Sequence, residues 1–181
     1  MPKLIRSLFP LLAAGFLALA CSSCSPKAKE ARHLAQANRF FADGKYDEAE
    51  IEYKNVLQLD QLNPQATGQL GLIYYDEGRL GVAFGYLKRA SDLQPDDLVL
   101  RRKLGSICLS VGQIHEAHHA APYVLDHNPM DTEAPLLLVS AFSQESEIEG
   151  IRQRLTGLPA PAPQGAPVLL ALGTLEFRQR K

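Results

Sequence analysis

The sequence predicts an all-α protein, a right-handed superhelical solenoid built from antiparallel helix pairs. Glycines recur every 34 residues at Gly44, Gly78 and Gly112, each between two apolar-periodic stretches. Small and apolar residues keep the same frame, as Ala37, Gly71 and Gly105, as Ala49, Ala83 and Ala117, as Tyr53, Leu87 and Ala121, and as Val56, Ala90 and Val124. Pro95 and Pro129 close the second and third frames, with Gln61 at the corresponding place in the first. Two helical patterns joined at a glycine describe a helix hairpin. One such hairpin cannot bury its apolar face alone, so copies must stack, and a constant rotation between copies leaves a concave inner wall.

The second frame, 64–97, is the clearest. Leu70, Gly71 and Tyr74 share one face of its first helix, and Ala83, Leu87 and Ala90 share one face of its second. Close approach of two helices needs small side chains, so Gly71 is expected to face Ala83. A period of 34 with small, large and turn residues at fixed offsets resembles the tetratricopeptide repeat. That resemblance covers residues 30–158 as repeats 30–63, 64–97 and 98–131, followed by a degenerate unit 132–158. It implies a scaffold that binds a protein or peptide partner along the concave wall, with no catalytic chemistry and no cofactor.

The front of the chain reads differently. Lys3 and Arg6 precede an apolar run, Leu8 to Ala20, too short to span a bilayer comfortably. This anatomy marks residues 1–20 as a signal peptide. Ala18-Leu19-Ala20-Cys21 resembles a bacterial lipoprotein box, which implies acylation of Cys21, with Cys24 the weaker alternative. Residues 21–29 are then a flexible lipidated tether, and the helical pattern is expected to begin near Glu30. Several acyl chains hold a protein on a membrane, each buried methylene contributing about 0.8 kcal/mol. Ser22 resembles the outer-membrane choice, so the expected location is an outer-membrane lipoprotein facing the periplasm. Loss of Lys3 and Arg6 lowers the formal charge from −1 by two, to −3. Nothing in that balance makes an electrostatic case for nucleic acid. Cys108 occupies a core-facing position and reads as a small buried hydrophobe.

Two departures interrupt the frame. Pro122 falls inside the second helix of the third unit, where it removes a backbone hydrogen bond, so a bend or an early end is expected there. The unit 132–158 keeps Leu138, Val139, Phe142, Ile151 and Leu155 but has Ser146 in place of the turn glycine, and Pro159 stops it early. Residues 159–165 read as a stiff, structureless Pro-rich linker. Residues 166–181 form an amphipathic terminal helix whose Leu172-Gly173 echoes Leu70-Gly71 and Leu104-Gly105. It is either a cap or the first helix of a fifth repeat, leading in the second case into a longer protein.

Candidate chemistry is sparse. There is no G-x-S-x-G and no phosphate-binding glycine loop. His115 and His119 share a helical face, but a metal site needs at least a third donor, so the cluster with His118 and His127 reads as a solvated face. The carboxylate clamp of chaperone-binding repeat proteins is matched only at Asn38 and Lys103; Leu34, Gln69 and Val99 depart from it. First-helix offsets that avoid the core give the candidate groove: Asn38 and Phe41, then Leu72, Tyr75 and Asp76, then Arg102, Ser106 and Leu109, then Ser140 and Ser143. Phe41, Tyr75 and Arg102 are the candidate anchors, since aromatic and Arg side chains dominate interface energetics. The competing reading is that the aromatics pack on neighbouring helices and that Arg102 is merely solvated. The role expected from the resemblance is assembly or export of surface polymers or proteins. The alternative is an arm that presents substrate to a catalytic domain beyond Lys181.

Overall fold

The computed structural model of the chain describes residues 25–142 and 144–179. The signal peptide, Cys21, Cys24 and Ser143 therefore lie outside the described residues. All regular structure among them is helical. The chain divides into two compact units, the first ending at Leu70 and the second beginning at Gly71.

In the first unit, α1 (Pro26–Ala42) and α2 (Tyr46–Leu59) form a hairpin over buried Ala37, Ala49, Tyr53 and Val56. The helix begins at Pro26, four residues earlier than the tether expectation allowed. Ser25 caps it, its Oγ accepting the Ala28 N–H at 3.1 Å, and Pro26 follows at the first helical position, where a missing N–H costs nothing. The opening of α3 (Pro64–Asp76) belongs to this unit as well, with Ala66, Thr67 and Leu70 fully buried.

The second unit holds the rest of α3 and then α4 (Leu80–Leu93), α5 (Leu98–Ser110), α6 (Ile114–His127), α7 (Ala134–Ser140), α8 (Ile148–Thr156) and α9 (Ala166–Gln179). Its core runs from Ala117, Ala121 and Val124 of α6 through Leu138 and Val139 of α7 to Ile151 and Leu155 of α8 and Val168, Ala171 and Leu175 of α9. The terminal helix packs on α7 and α8 and covers the degenerate unit.

The three turn glycines have φ of 72°, 73° and 78°, the left-handed region that glycine enters at no steric cost. Each closes its helix in a Schellman pattern. Gly44, Gly78 and Gly112 donate to Phe41, Tyr75 and Leu109, while Lys45, Arg79 and Gln113 donate to Phe40, Tyr74 and Cys108. A second periodic device starts the next helix. Asn63 accepts the Ala66 N–H, Asp97 those of Val99 and Leu100, and Asp131 those of Glu133 and Ala134. These caps also stand 34 residues apart.

Three expectations are corrected. The nearest neighbour of Gly71 is Leu87 rather than Ala83; a Cβ built on the glycine would lie 2.8 Å from Leu87 Cδ2 and 3.1 Å from the Leu87 nitrogen, one turn further along α4. Helix α6 does not end early, since its helical run continues through Pro122 to His127. The Arg154 guanidinium from α8 braces that stretch, donating to the Pro122 carbonyl at 3.1 Å and the Asp126 carboxylate at 2.6 Å. The Pro-rich linker is not structureless, since Ala162–Gln164 forms a 3-10 turn and Ala162 is buried.

Candidate partner-binding surface

In the first unit, Asn38 and Phe41 are half-buried on α1. Asn38 Oδ1 accepts the Tyr53 hydroxyl at 2.8 Å and the Gln65 amide at 3.2 Å, so this side chain is already committed. Phe41 meets Tyr46 edge to face, ring centroids 5.4 Å apart, across the turn at Gly44. Burial pushes the Tyr53 phenol up to about 12. The α1 helix also carries a surface hollow of about 520 Å³ lined by Arg32, Arg39, Phe40 and Lys45.

In the second unit the first helices α3, α5 and α7 place Tyr75, Lys103 and Glu133 in one line. Lys103 Nζ sits 4.5 Å from the Tyr75 ring centroid and 3.3 Å from Glu133 Oε2. Tyr75 and Lys103 are half-buried, and Glu133 is exposed. Leu72, Ser106, Leu109 and Ser140 are half-buried beside this line in the sequence frame, and Asp76 is exposed at the end of α3. Ser106 donates to the Arg102 carbonyl, and Leu109 packs at the edge of the core.

Arg102 is not displayed as a groove anchor. It is 8% exposed, and Nη1 donates to both Asp131 oxygens at 2.8 and 2.7 Å, while Nη2 lies 3.3 Å from Glu133. Burial alone would raise the Asp131 carboxyl. The hydrogen bond from Arg102, the N–H groups of Ala134 and Glu133 and the guanidinium charge outweigh it and hold that carboxyl below its usual range. Arg102 thus fixes the start of α7, and Lys103, its neighbour in sequence, is the cation that reaches the surface line. The position was visible in the sequence as one of the two matches to the carboxylate clamp.

On the opposite side of α5, a cleft of about 470 Å³ is lined by Phe84, Lys88, Arg101, Leu104, Cys108 and Glu116. The Cys108 thiol is free and buried, and its pKa is pushed up by burial and by Glu116, with Lys88 opposing. That is the state of an inert core thiol rather than a nucleophile. His115 and His119 stack edge to face at 4.5 Å, and no cluster of three metal-donor side chains occurs among the described residues.

Comparison with known proteins agrees with this architecture. Residues 34–97 match the tetratricopeptide-repeat family model. No curated protein matches the chain. Among solved structures, an O-GlcNAc transferase mutant from Thermobaculum terrenum aligns with TM-score 0.59 and 23% identity over 74% of this chain; the chain spans only 26% of that protein. YrrB, a tetratricopeptide-repeat protein with an unusual peptide-binding site, aligns with TM-score 0.68 and 18% identity over 82% of this chain and 76% of its own. MamA from Desulfovibrio magneticus aligns with TM-score 0.67 and 19% identity over 84% and 86%. The family match makes residues 34–97 tetratricopeptide-repeat sequence, the in-frame turns and caps agree with it, and these neighbours share the fold.

Proposed function

We propose that the chain is a non-enzymatic scaffold that holds a protein or peptide partner against the line formed by Tyr75, Lys103 and Glu133. The observation that carries this reading is the contact of three side chains from successive first helices, an aromatic ring, a cation and an exposed carboxylate. An extended peptide finds there a flat ring for apolar contact and both signs of charge for its backbone ends or polar side chains. The structural likeness to YrrB, itself described by its peptide-binding site, supports the same role. Leu72, Asp76, Ser106 and Leu109 are the flanking contacts in this proposal.

The finer reading is a bacterial lipoprotein. Cys21 carries the acyl chains, residues 1–20 are removed, and the repeats face the periplasm from the outer membrane, serving assembly or export of surface polymers or proteins. The support is the leader pattern and the lipoprotein-box resemblance in the sequence. Mass spectrometry of the envelope-purified protein tests it, because an N-terminal Cys21 bearing acyl chains is the expected product. An unmodified Cys21, or a product wholly in the cytosol, removes the anchor from the account.

A photo-crosslinker placed at Tyr75 in the living cell tests the groove. The expected result is one dominant adduct that disappears when Lys103 is replaced by Glu. Adducts unchanged by that replacement place the partner elsewhere. The second reading, an arm presenting substrate to a catalytic domain, is favoured by one observation, the alignment with a quarter of an O-GlcNAc transferase. A coding sequence that continues past Lys181 into an enzymatic domain would select it.

A further inference from the structure

The cleft of about 470 Å³ beside α5 continues into a second hollow of about 230 Å³. Ser91, Arg101, Leu104 and Glu116 line both, so the two are one cleft built from α4, α5 and α6. Arg101 is held rigidly in it. Its Cζ lies 3.9 Å from the Tyr123 ring centroid, and Nη2 donates to the Pro95 carbonyl at 2.8 Å. Nε is buried and has no acceptor. Arg102 and Arg154 also leave Nε without one, but there Asp131 and Asp126 meet the charge. Arg101 has no carboxylate partner among the described residues, although Asp92 and Glu116 line the same cleft.

A buried donor without an acceptor is costly, and a guanidinium fixed by stacking and one backbone bond presents its remaining donors in a set geometry. The other charges of the cleft are free as well. Lys88, Asp92 and Glu116 are exposed and form no ion pair among the described residues. Both signs of charge therefore face one cleft without meeting. Phe84, Leu104 and Cys108 give it an apolar wall. A cavity of this size, apolar with a few placed polar groups, is of the kind that takes a small molecule.

We propose that this cleft binds a free α-amino acid with an apolar side chain, its carboxylate on Arg101, its ammonium on Glu116 and its side chain against Phe84 and Leu104. The buried Arg101 donor calls for an anionic acceptor, and a carboxylate matches the planar guanidinium best. A simple anion would stand beside Asp92 and Glu116 with nothing to offset them, whereas an α-ammonium turns the same acidity into a partner. A simple cation would leave Arg101 unmet. The end of a peptide carries only one of the two charges and fills half of the site. The free amino acid carries both, on one carbon, with the apolar group the wall requires. This cleft is separate from the line at Tyr75, so either site stands or falls without the other.

Equilibrium dialysis of the full chain against radiolabelled L-phenylalanine tests this. Saturable uptake with a Kd of about 1 mM or tighter is expected. N-acetyl-L-phenylalanine lacks the ammonium and L-phenylalanine amide lacks the carboxylate, so each is expected to compete about tenfold more weakly or worse. Arg101→Lys keeps the charge but removes the Nε edge, and it is expected to weaken uptake about tenfold or more. Glu116→Gln, an exposed change, is expected to do the same while melting as the parent does. No saturable uptake by the parent, equal competition by either blocked analogue, or unchanged uptake in either variant overturns the proposal.

Discussion

Arg102 Nη1 donates to both carboxylate oxygens of Asp131, an ion pair in which both side chains are about nine-tenths buried, 10% and 8% exposed. The same carboxylate caps α7 through the N–H groups of Glu133 and Ala134 at 3.0 and 2.8 Å. One side chain therefore joins the third repeat to the start of the fourth. Removing one partner of such a pair leaves the other charge buried and unpaired, which costs about 3–5 kcal/mol. Arg102→Ala is expected to lower stability by about that much in urea unfolding. A loss below about 1 kcal/mol would mean the pair is as weak as a surface one.

The same pair fixes a pH dependence. The Asp131 carboxyl is depressed in the folded chain, so its contribution is fully present above the ordinary carboxylate value of about 4 and is lost as pH falls through the lowered one. The melting temperature should fall as pH drops below about 4, and Asp131→Asn should flatten part of that fall. Identical acid profiles for the two proteins would assign the loss to other carboxylates.

Tyr53 gives the opposite sign. Its hydroxyl donates to Asn38, and burial holds it neutral up to about 12. A raised folded value means that stability is present below the ordinary tyrosine value of about 10 and is lost as pH rises from there through about 12. Tyr53→Phe removes one hydrogen bond, at a cost of about 1 kcal/mol near neutrality, and should unfold less readily than the parent above pH of about 10. Alkaline titration followed by circular dichroism reads both effects.

The glycines separate two kinds of cost. A Cβ on Gly78 meets no atom within 4 Å, so Gly78→Ala pays only for the left-handed backbone, about 1–2 kcal/mol. A Cβ on Gly105 collides with Ala120 Cβ at 2.7 Å and presses Leu137 at 3.2 Å. Overpacking there costs about 1–3 kcal/mol, partly offset by about 1 kcal/mol of helix propensity. A double-mutant cycle separates them: Gly105→Ala should couple to Ala120→Gly, and Gly78→Ala should not. Additivity at both positions would show that α5 and α6 yield without resistance.

The turn and packing positions were readable because they repeat. Gly44, Gly78 and Gly112 announce left-handed turns by identity and spacing alone. Asn63, Asp97 and Asp131 repeat as faithfully, yet their capping role needs the position of the next helix start, which periodicity blurs by a residue or two. Periodicity also assigns a side chain to a face without saying what the next helix brings to it. Arg102 was placed on the inner wall, and Asp131, 29 residues later, turned it into a buried strut. For Gly71 the frame names the right partner helix, while the atoms nearest to it are those of Leu87, one turn beyond Ala83. Pro122 by itself does not tell that its helix continues to His127, because the Arg154 that braces it comes from a different hairpin.

Lys103 is where the binding proposal is most exposed to experiment. Its ammonium lies over the Tyr75 ring and beside Glu133, 48% exposed, on the surface of the second unit. A cation–π contact and an ion pair at such a site contribute about 1 kcal/mol or less each, so Lys103→Met should leave the melt nearly unchanged. Partner capture is another matter, since an anchor at the middle of an interface costs about 2 kcal/mol or more when removed, roughly thirtyfold in Kd. Tyr75→Ala should give a loss of the same order, and the two together should lose less than the sum, because the ring and the cation act as one surface. Capture measured against the adduct identified at Tyr75 decides it: unchanged affinity in both single variants would detach partner binding from this line of residues, whatever the fold.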